Sequence, residues 1–437
     1  MSPDPSICKH PAELLQHLIR FDTTNPPGNE RGCIEYVDGL LKAAGFETVL
    51  LAKDPNRPNL IARLKGRGTS LPILLYGHVD VVTTASQRWS RPPFSGDLVD
   101  GWVWGRGAVD MKGGVAMMIA AFLRAKLEDL TPAGDIVLCI VSDEEHGADF
   151  GARFLVDQHA HHFAGIKHAI GEFGGFPMFI GGKKFYPIQV AEKQMCWMKA
   201  TVRGPGGHAS MPQRGGTMAR LSQLLAALEP RLPAHVTPAA RLMFDAMAAV
   251  LPKPVGPRLK QLTDEKRTDA ALGHLVGQSL MFDAMLHHTV AATVVQGGNK
   301  VNVIPSEVSV ELDGRMLPGF TAEQFLAELR AVIGPEVELE VTRHDPGPRE
   351  PDLSRFDLLA AELKRADPDG IPVPFLLPAV TDARHFAKLG IQTYGFLPMN
   401  LPEDFNFLST VHAADERVPA SAIEFGANVM YQVLRNA

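Results

Sequence analysis

Three short apolar runs, each ending in polar side chains, constrain this chain more than any other feature. They are LPILLYGHVD, DIVLCIV running into SDEEHG, and KHAIGEF. None alternates polar and apolar residues, so each reads as a strand buried on both faces. Such strands need helices above and below them. Residues 11–20 and 30–44 carry helical periodicity, the second stopping at Gly45, and the Gly-rich turn GRGAVDMKGG opens the long apolar helix GVAMMIAAFLRAKLEDL. The alternation predicts an α/β fold, a mixed, mostly parallel sheet with helices on both faces.

From about residue 190 the pattern changes. AEKQMCWMKATVRG, VAATVVQGG, EVSVELDGRM and EVELEVTRH read as strands with one solvated face, with helices expected over 217–229 and 321–333. The last hundred residues return to the first style, with LGIQTYGFLP as a buried strand. A chain of 437 residues exceeds what one core usually fills. The expected organisation is therefore a catalytic domain over 1–190 and 346–437, interrupted by an α+β domain over 191–345. The Pro-rich patch at 252–257 is expected to be a loop in that insert.

A formal net charge of −6 and the lack of any Lys/Arg run argue against a nucleic-acid partner. Cys8, Cys33, Cys139 and Cys196 have no CxxC spacing and read as reduced thiols. No basic segment followed by an apolar one opens the sequence, and no apolar run is long enough to span a membrane. The expectation is a soluble cytoplasmic protein with a small-molecule substrate.

Acidic residues and histidines cluster just past the predicted strand ends: His78 and Asp80, Glu144 and Glu145, Glu172, and later His412. Asp110 lies in the turn before the long helix. The crevice at the carboxyl ends of such strands is where ligands bind in open α/β sheets. Asp110, Glu145 and Glu172 bring three negative charges and two imidazoles bring none, so with a bridging hydroxide the set neutralises two divalent cations. Asp110 is the residue expected to bridge them. Asp80, two residues after His78, is placed to accept the other ring N–H. Glu144 and Glu145 cannot face one metal from an extended backbone; Glu145 is assigned as ligand and Glu144 as general base.

The strings GHVDVV, WGRGAVDMKGG, SDEEHG, AIGEFGG, GPGGHASMP, NVIP, DGRMLPG, TDARHF and HAADERV, in that order, resemble the zinc metallopeptidase family of aminoacylase, acetylornithine deacetylase, succinyl-diaminopimelate desuccinylase and glutamate carboxypeptidase. The resemblance covers nearly the whole chain. It implies a phosphorylase/hydrolase-like catalytic domain with an inserted lid and dimerisation domain, and a homodimer. It implies one metal among His78, Asp110 and Glu172 and another among Asp110, Glu145 and His412, with Glu144 as base and Asp80 behind His78. In the insert it implies that His208 reaches across a dimer interface to the partner's oxyanion, that Asn302 and Arg315 bind substrate, and that Arg315 clamps its carboxylate. Thr381, Asp382 and Arg384 are implied to lie near the substrate. Glu172 in place of Asp, and the long insert, fit the larger branch of carboxypeptidases and N-acyl-amino-acid hydrolases.

The expected chemistry is metal-assisted hydrolysis of an amide beside a free carboxylate, with Zn²⁺ and with Co²⁺ or Mn²⁺ fitting the same donors. Carbamoyl hydrolysis, and a non-catalytic binding protein on the same scaffold, stay open as alternatives. His159, His161, His162, His287 and His288 read as surface histidines without fixed carboxylate partners, and His385 is left open. No GxxxxGK[ST] or GxSxG is present, against a phosphate loop and a serine nucleophile.

Overall fold

In the computed structural model, residues 3–212, 214–275, 279–348 and 350–437 are described. The chain divides into two compact units. One comprises Met1–Val190, Asp352–Phe375 and Thr381–Ala437; the other comprises Ala191–Pro351 with Leu376–Val380. The second boundary thus falls at Pro351, against 345 from the sequence.

The first unit is built on a nine-stranded sheet among the described residues. At its centre lie Ile136–Val141, Ile73–His78, His168–Gly171 and Gln392–Gly395, in that spatial order and mutually parallel. Antiparallel strands flank them on both sides. Every residue of Ile73–His78 and of Ile136–Val141 is buried, as unbroken apolar runs require. Alternation along a strand splits the runs between two faces. On one face Leu74, Tyr76, Val137, Cys139 and Val141 pack with Phe154, Leu155, Phe163 and Phe386. The helix Lys112–Leu127 lies against Ile73–His78 and packs with Pro11–Ile19 and Ala420–Asn436.

Parallel strands place their carboxyl ends at one edge, so His78, the turn after Val141 and Glu172 emerge side by side. Gly77 makes the junction possible. A Cβ there would sit 2.6 Å from Met111 Cε and 3.0 Å from a Val115 methyl, so a larger residue would require the Met111 side chain to move aside.

The second unit has a four-stranded antiparallel sheet in the order Thr289–Gln296, Glu307–Met316, Gln194–Arg203, Glu338–Asp345. Helices Thr217–Ala227 and Ala322–Ile333 cover one face through Leu224, Phe325 and Leu329. A capping box between Thr321 and Gln324 starts the second helix. The Pro-rich patch corrects one expectation: Val255–Gln261 is a helix that begins after Pro254. Proline's missing N–H costs nothing at a helix start, where the first amides have no intrahelical partner anyway.

The histidines correct another. His287 and His288 are buried, each 1% exposed. His287 Nδ1 lies 2.7 Å from Asp283 Oδ1, one helical turn earlier, and His288 Nδ1 accepts the Leu317 N–H at 3.0 Å. No helix among the described residues is long and apolar enough to cross a membrane.

Candidate metal centre

His78 ends its strand inside the first unit with 1% of its side chain exposed. Its Nδ1 lies 3.0 Å from the Asp80 backbone carbonyl, an acceptor only, so Nδ1 carries the proton and Nε2 presents a lone pair. That lone pair faces two carboxylate oxygens, Asp110 Oδ1 at 3.3 Å and Glu172 Oε2 at 3.4 Å. Three acceptors facing each other across a buried gap repel unless a cation lies among them or the ring takes a second proton.

The same arrangement recurs beside it. His412 Nε2 lies 3.1 Å from Asp110 Oδ2 and 3.3 Å from Glu145 Oε1. In each triad the donor atoms fall within 4.8 Å of one another, and Asp110 is common to both. His78 Nε2 and Glu145 Oε1 are buried without a hydrogen-bond partner. Buried polar atoms are normally satisfied, so these two mark where a bound cation would complete the site. The donor set of imidazole nitrogen and carboxylate oxygen fits divalent ions of the zinc type.

The charges tell the same story. Burial, and then the charge of Glu172, push the Glu144 carboxyl well above the ordinary range. Burial, and then the charge of Asp110, push Glu145 up to about 7. Hydrogen bonds to Asp110 and Glu145 raise His412 to about 10. Negative charge is in excess, and positive charge is what the site lacks.

The turn carrying Glu144 and Glu145 is not extended: Glu144–His146 is a short 3-10 helix entered through Asp143 at φ 67°. The two carboxylates diverge because of that turn. Glu145 reaches His412, while Glu144 Oε1 lies 3.8 Å from Arg384 NH1 and outside both triads. The Asp80 carboxylate stands 3.5 Å from His78 Nδ1, and its oxygens also accept the backbone N–H groups of Glu144 and Glu145, each at 3.1 Å. The Asp80 carbonyl, at 3.0 Å, is the nearer acceptor of the ring proton.

Thr381, Asp382 and Arg384 are buried in this unit, with Arg384 beside Glu144. Arg384 NH1 donates to the Thr381 carbonyl at 2.9 Å. Burial, its largest influence, pushes Asp382 up to about 7.

Two residues escaped the sequence reading. Glu416, fully buried, accepts the N–H groups of Val109 at 2.7 Å and Asp110 at 3.1 Å through Oε1 and pairs with Arg106 through Oε2 at 2.7 Å. Arg106 in turn donates to the His412 carbonyl at 3.2 Å, as Gln87 does at 2.8 Å. One ion pair thus fixes the backbone of both Asp110 and His412. The signal was present: Arg106 and Glu416 lie in WGRGAVDMKGG and HAADERV.

His208, Asn302 and Arg315 belong to the second unit. His208 sits on a two-stranded ribbon opposite Val303, and the Asn302 carbonyl accepts the Ala209 N–H at 3.1 Å. The Ser210 N–H donates to His208 Nδ1 at 3.2 Å, which leaves the ring proton on an exposed Nε2. Arg315 is held bidentate by Asp313, at 2.7 and 2.9 Å. His235, His288 and Glu328 also cluster at ligand distances in this unit. There the Leu317 N–H occupies His288 Nδ1 and so keeps the proton on Nε2, which disqualifies that nitrogen as a ligand.

Comparison with known proteins places this chain in a family. A probable carboxypeptidase S-like 2 of Dictyostelium discoideum is 29% identical over 395 residues, covering 86% of this chain and 74% of the relative. The N-fatty-acyl-amino acid synthase/hydrolase PM20D1 of Mus musculus is 26% identical over 388 residues, covering 86% and 76%. Among solved structures, the M20 family metallo-carboxypeptidase Sso-CP2 from Sulfolobus solfataricus shares the fold at TM-score 0.67 and 15% identity, over 97% of this chain and 98% of that one. Residues 74–436 match the sequence model of peptidase family M20/M25/M40, and the chain, an enzyme of the hydrolase class with candidate metal-ligand triads, belongs to that family.

Proposed function

We propose that this chain is a di-metal hydrolase that cleaves the amide bond of an N-acyl amino acid or short peptide bearing a free carboxylate, with Glu144 as general base. The observation that carries the reading is Asp110, which turns one oxygen to His78 and the other to His412. His78, Asp110 and Glu172 would hold one ion, and Asp110, Glu145 and His412 the other. Two divalent ions there, Zn²⁺ by donor type with Co²⁺ or Mn²⁺ compatible, would polarise a carbonyl and lower the pKa of a shared water.

The protein's own groups do the rest. Glu144, outside both triads, takes a proton from the attacking water and delivers it to the leaving nitrogen, so that the amine departs neutral. Arg384 beside it limits where that carboxylate swings. His208 carries its proton on Nε2 and suits a donor to the developing oxyanion. Arg315, with the fork geometry that matches a carboxylate, takes the substrate's free carboxylate in exchange for part of its pairing with Asp313. On the family resemblance, residues 191–345 serve as lid and dimerisation domain, and His208 acts on the site of the partner subunit in a homodimer. The names of the relatives, carboxypeptidase S-like and N-fatty-acyl-amino acid hydrolase, support this substrate class.

The test is hydrolysis of N-acetyl and long-chain N-acyl amino acids and of dipeptides with free or amidated C-termini. Turnover that requires the free carboxylate supports the proposal. Turnover indifferent to it, or confined to N-carbamoyl amino acids, transfers the chain to another branch of the family.

A further inference from the structure

The turn Asp143–Gly147 is an odd place to hold two carboxylates in register. Its middle residues bury no apolar side chain, and it enters through Asp143 in the left-handed region at φ 67°. Apolar packing therefore cannot set its position, and polar anchors must. One of them, the Asp80 carboxylate, has been described; it is itself a buried charge that needs holding.

What holds it is Asn25. The two protons of its Nδ2 are divided between two carboxylates: Asp80 Oδ2 at 2.8 Å and Asp143 Oδ1 at 2.9 Å. The Asn25 N–H donates to the Val81 carbonyl at 2.9 Å, tying the amide to the chain just past Asp80. Asp143 Oδ1 is also 2.9 Å from Arg57 NH2, and Arg57 grips Glu30 through Nε and NH2, the shorter contact being 2.7 Å. The other Asp143 oxygen accepts the Phe150 N–H at 3.0 Å beyond the turn. Asn25, Glu30, Arg57, Asp80 and Asp143 are all buried. Buried ionic groups of this kind add little net stability, because desolvation offsets their attraction, but they admit few geometries.

We infer that Asn25 and Arg57 are positioning residues for the Glu144–Glu145 turn: they fix Asp80 and Asp143, which fix where the base and the neighbouring ligand point. Neither touches the ligand groups. The inference rests on the proposed roles of Glu144 and Glu145. It predicts an asymmetric loss, since Glu145 belongs to one triad and not to the other.

The experiment titrates metal-free protein with Zn²⁺ by calorimetry and measures kcat and KM beside thermal unfolding, for the unaltered chain, Asn25→Ala and Arg57→Lys. Arg57→Lys keeps the charge and loses the fork, and so guards against an Asn25 variant that does not fold. The expected result is a folded protein whose kcat falls roughly 10- to 100-fold with KM changed much less, and one of two Zn²⁺ affinities weakened by a similar factor, the range typical of groups that orient ligands. Rebuilding the amide as Asn25→Gln should recover less than half of the loss, because the longer stem misplaces it.

Normal kcat in both variants, equal weakening of both ions, or failure of both variants to fold would overturn the inference. Failure of the unaltered chain to bind two ions would instead overturn the di-metal reading, which keeps the two outcomes apart.

Discussion

The carboxylate of Asp80 accepts the backbone N–H of Glu145 at 3.1 Å, although its spacing from His78 suggested a partner for the imidazole ring. It does the same for Glu144. Asp80 thus acts on the turn that carries two of the site's carboxylates. Asp80→Ala should lower kcat roughly 10- to 100-fold and weaken metal binding by a similar factor. Steady-state kinetics beside metal titration would check this; an effect on KM alone would contradict it.

Glu144 lies outside both triads, so removing its carboxylate should leave the ligand set whole. Glu144→Ala is expected to retain the metal content of the unaltered chain and lose on the order of 10²- to 10⁴-fold in kcat, the usual contribution of a general base. Near-normal turnover in that variant would remove Glu144 from the mechanism.

Arg315 is gripped by Asp313 two residues earlier on the same strand. If its fork also takes the substrate carboxylate, Arg315→Met should raise KM at least about tenfold for substrates with a free carboxylate, the order expected for one lost charge-assisted pair. Amidated analogues should show no such change. Equal effects on both classes would assign Arg315 to the local pair with Asp313.

His288 gives a pH dependence separate from the site. Burial, and then the charge of His235, lower its pKa from 6.5 to about 3. Between those values the unfolded chain binds a proton that the folded chain does not, so stability falls as pH drops from about 6.5 toward 3. The slope is at most about 1.4 kcal/mol per pH unit from this one group. His288→Gln keeps an acceptor for the Leu317 N–H and removes the titration. Its denaturant midpoints at pH 7, 5 and 4 should fall less steeply than those of the unaltered chain; parallel curves would contradict the assignment.

Much of the site could be read from the sequence because fold and chemistry share one signal. His78 and Glu172 sit at or directly after strands whose short apolar runs fit a sheet buried on both faces, and parallel strands bring their ends together. Asp110 could be placed by the turn that opens a long helix. The conformation of the Glu144–Glu145 turn could not, since it depends on Asp80, Asp143 and Asn25 from three separate segments. His287 and His288 looked like surface residues because their burial comes from strands and helices distant in sequence. Arg106 and Glu416 lie in legible motifs, but their pairing was hidden for the same reason: it links residues more than three hundred positions apart. The Asp313–Arg315 pair was within reach, because residues two apart on a strand share a face.

If Asp110 serves two ions at once, the metal content per chain will show it. The unaltered protein, Glu172→Ala, His412→Ala and Asp110→Ala would each be equilibrated with Zn²⁺, gel-filtered and measured by elemental analysis. Two ions are expected in the unaltered chain, about one in each of the Glu172 and His412 variants, and none when Asp110 is replaced. A single ion in the unaltered chain, or an Asp110 variant that still binds two, would contradict that role of Asp110.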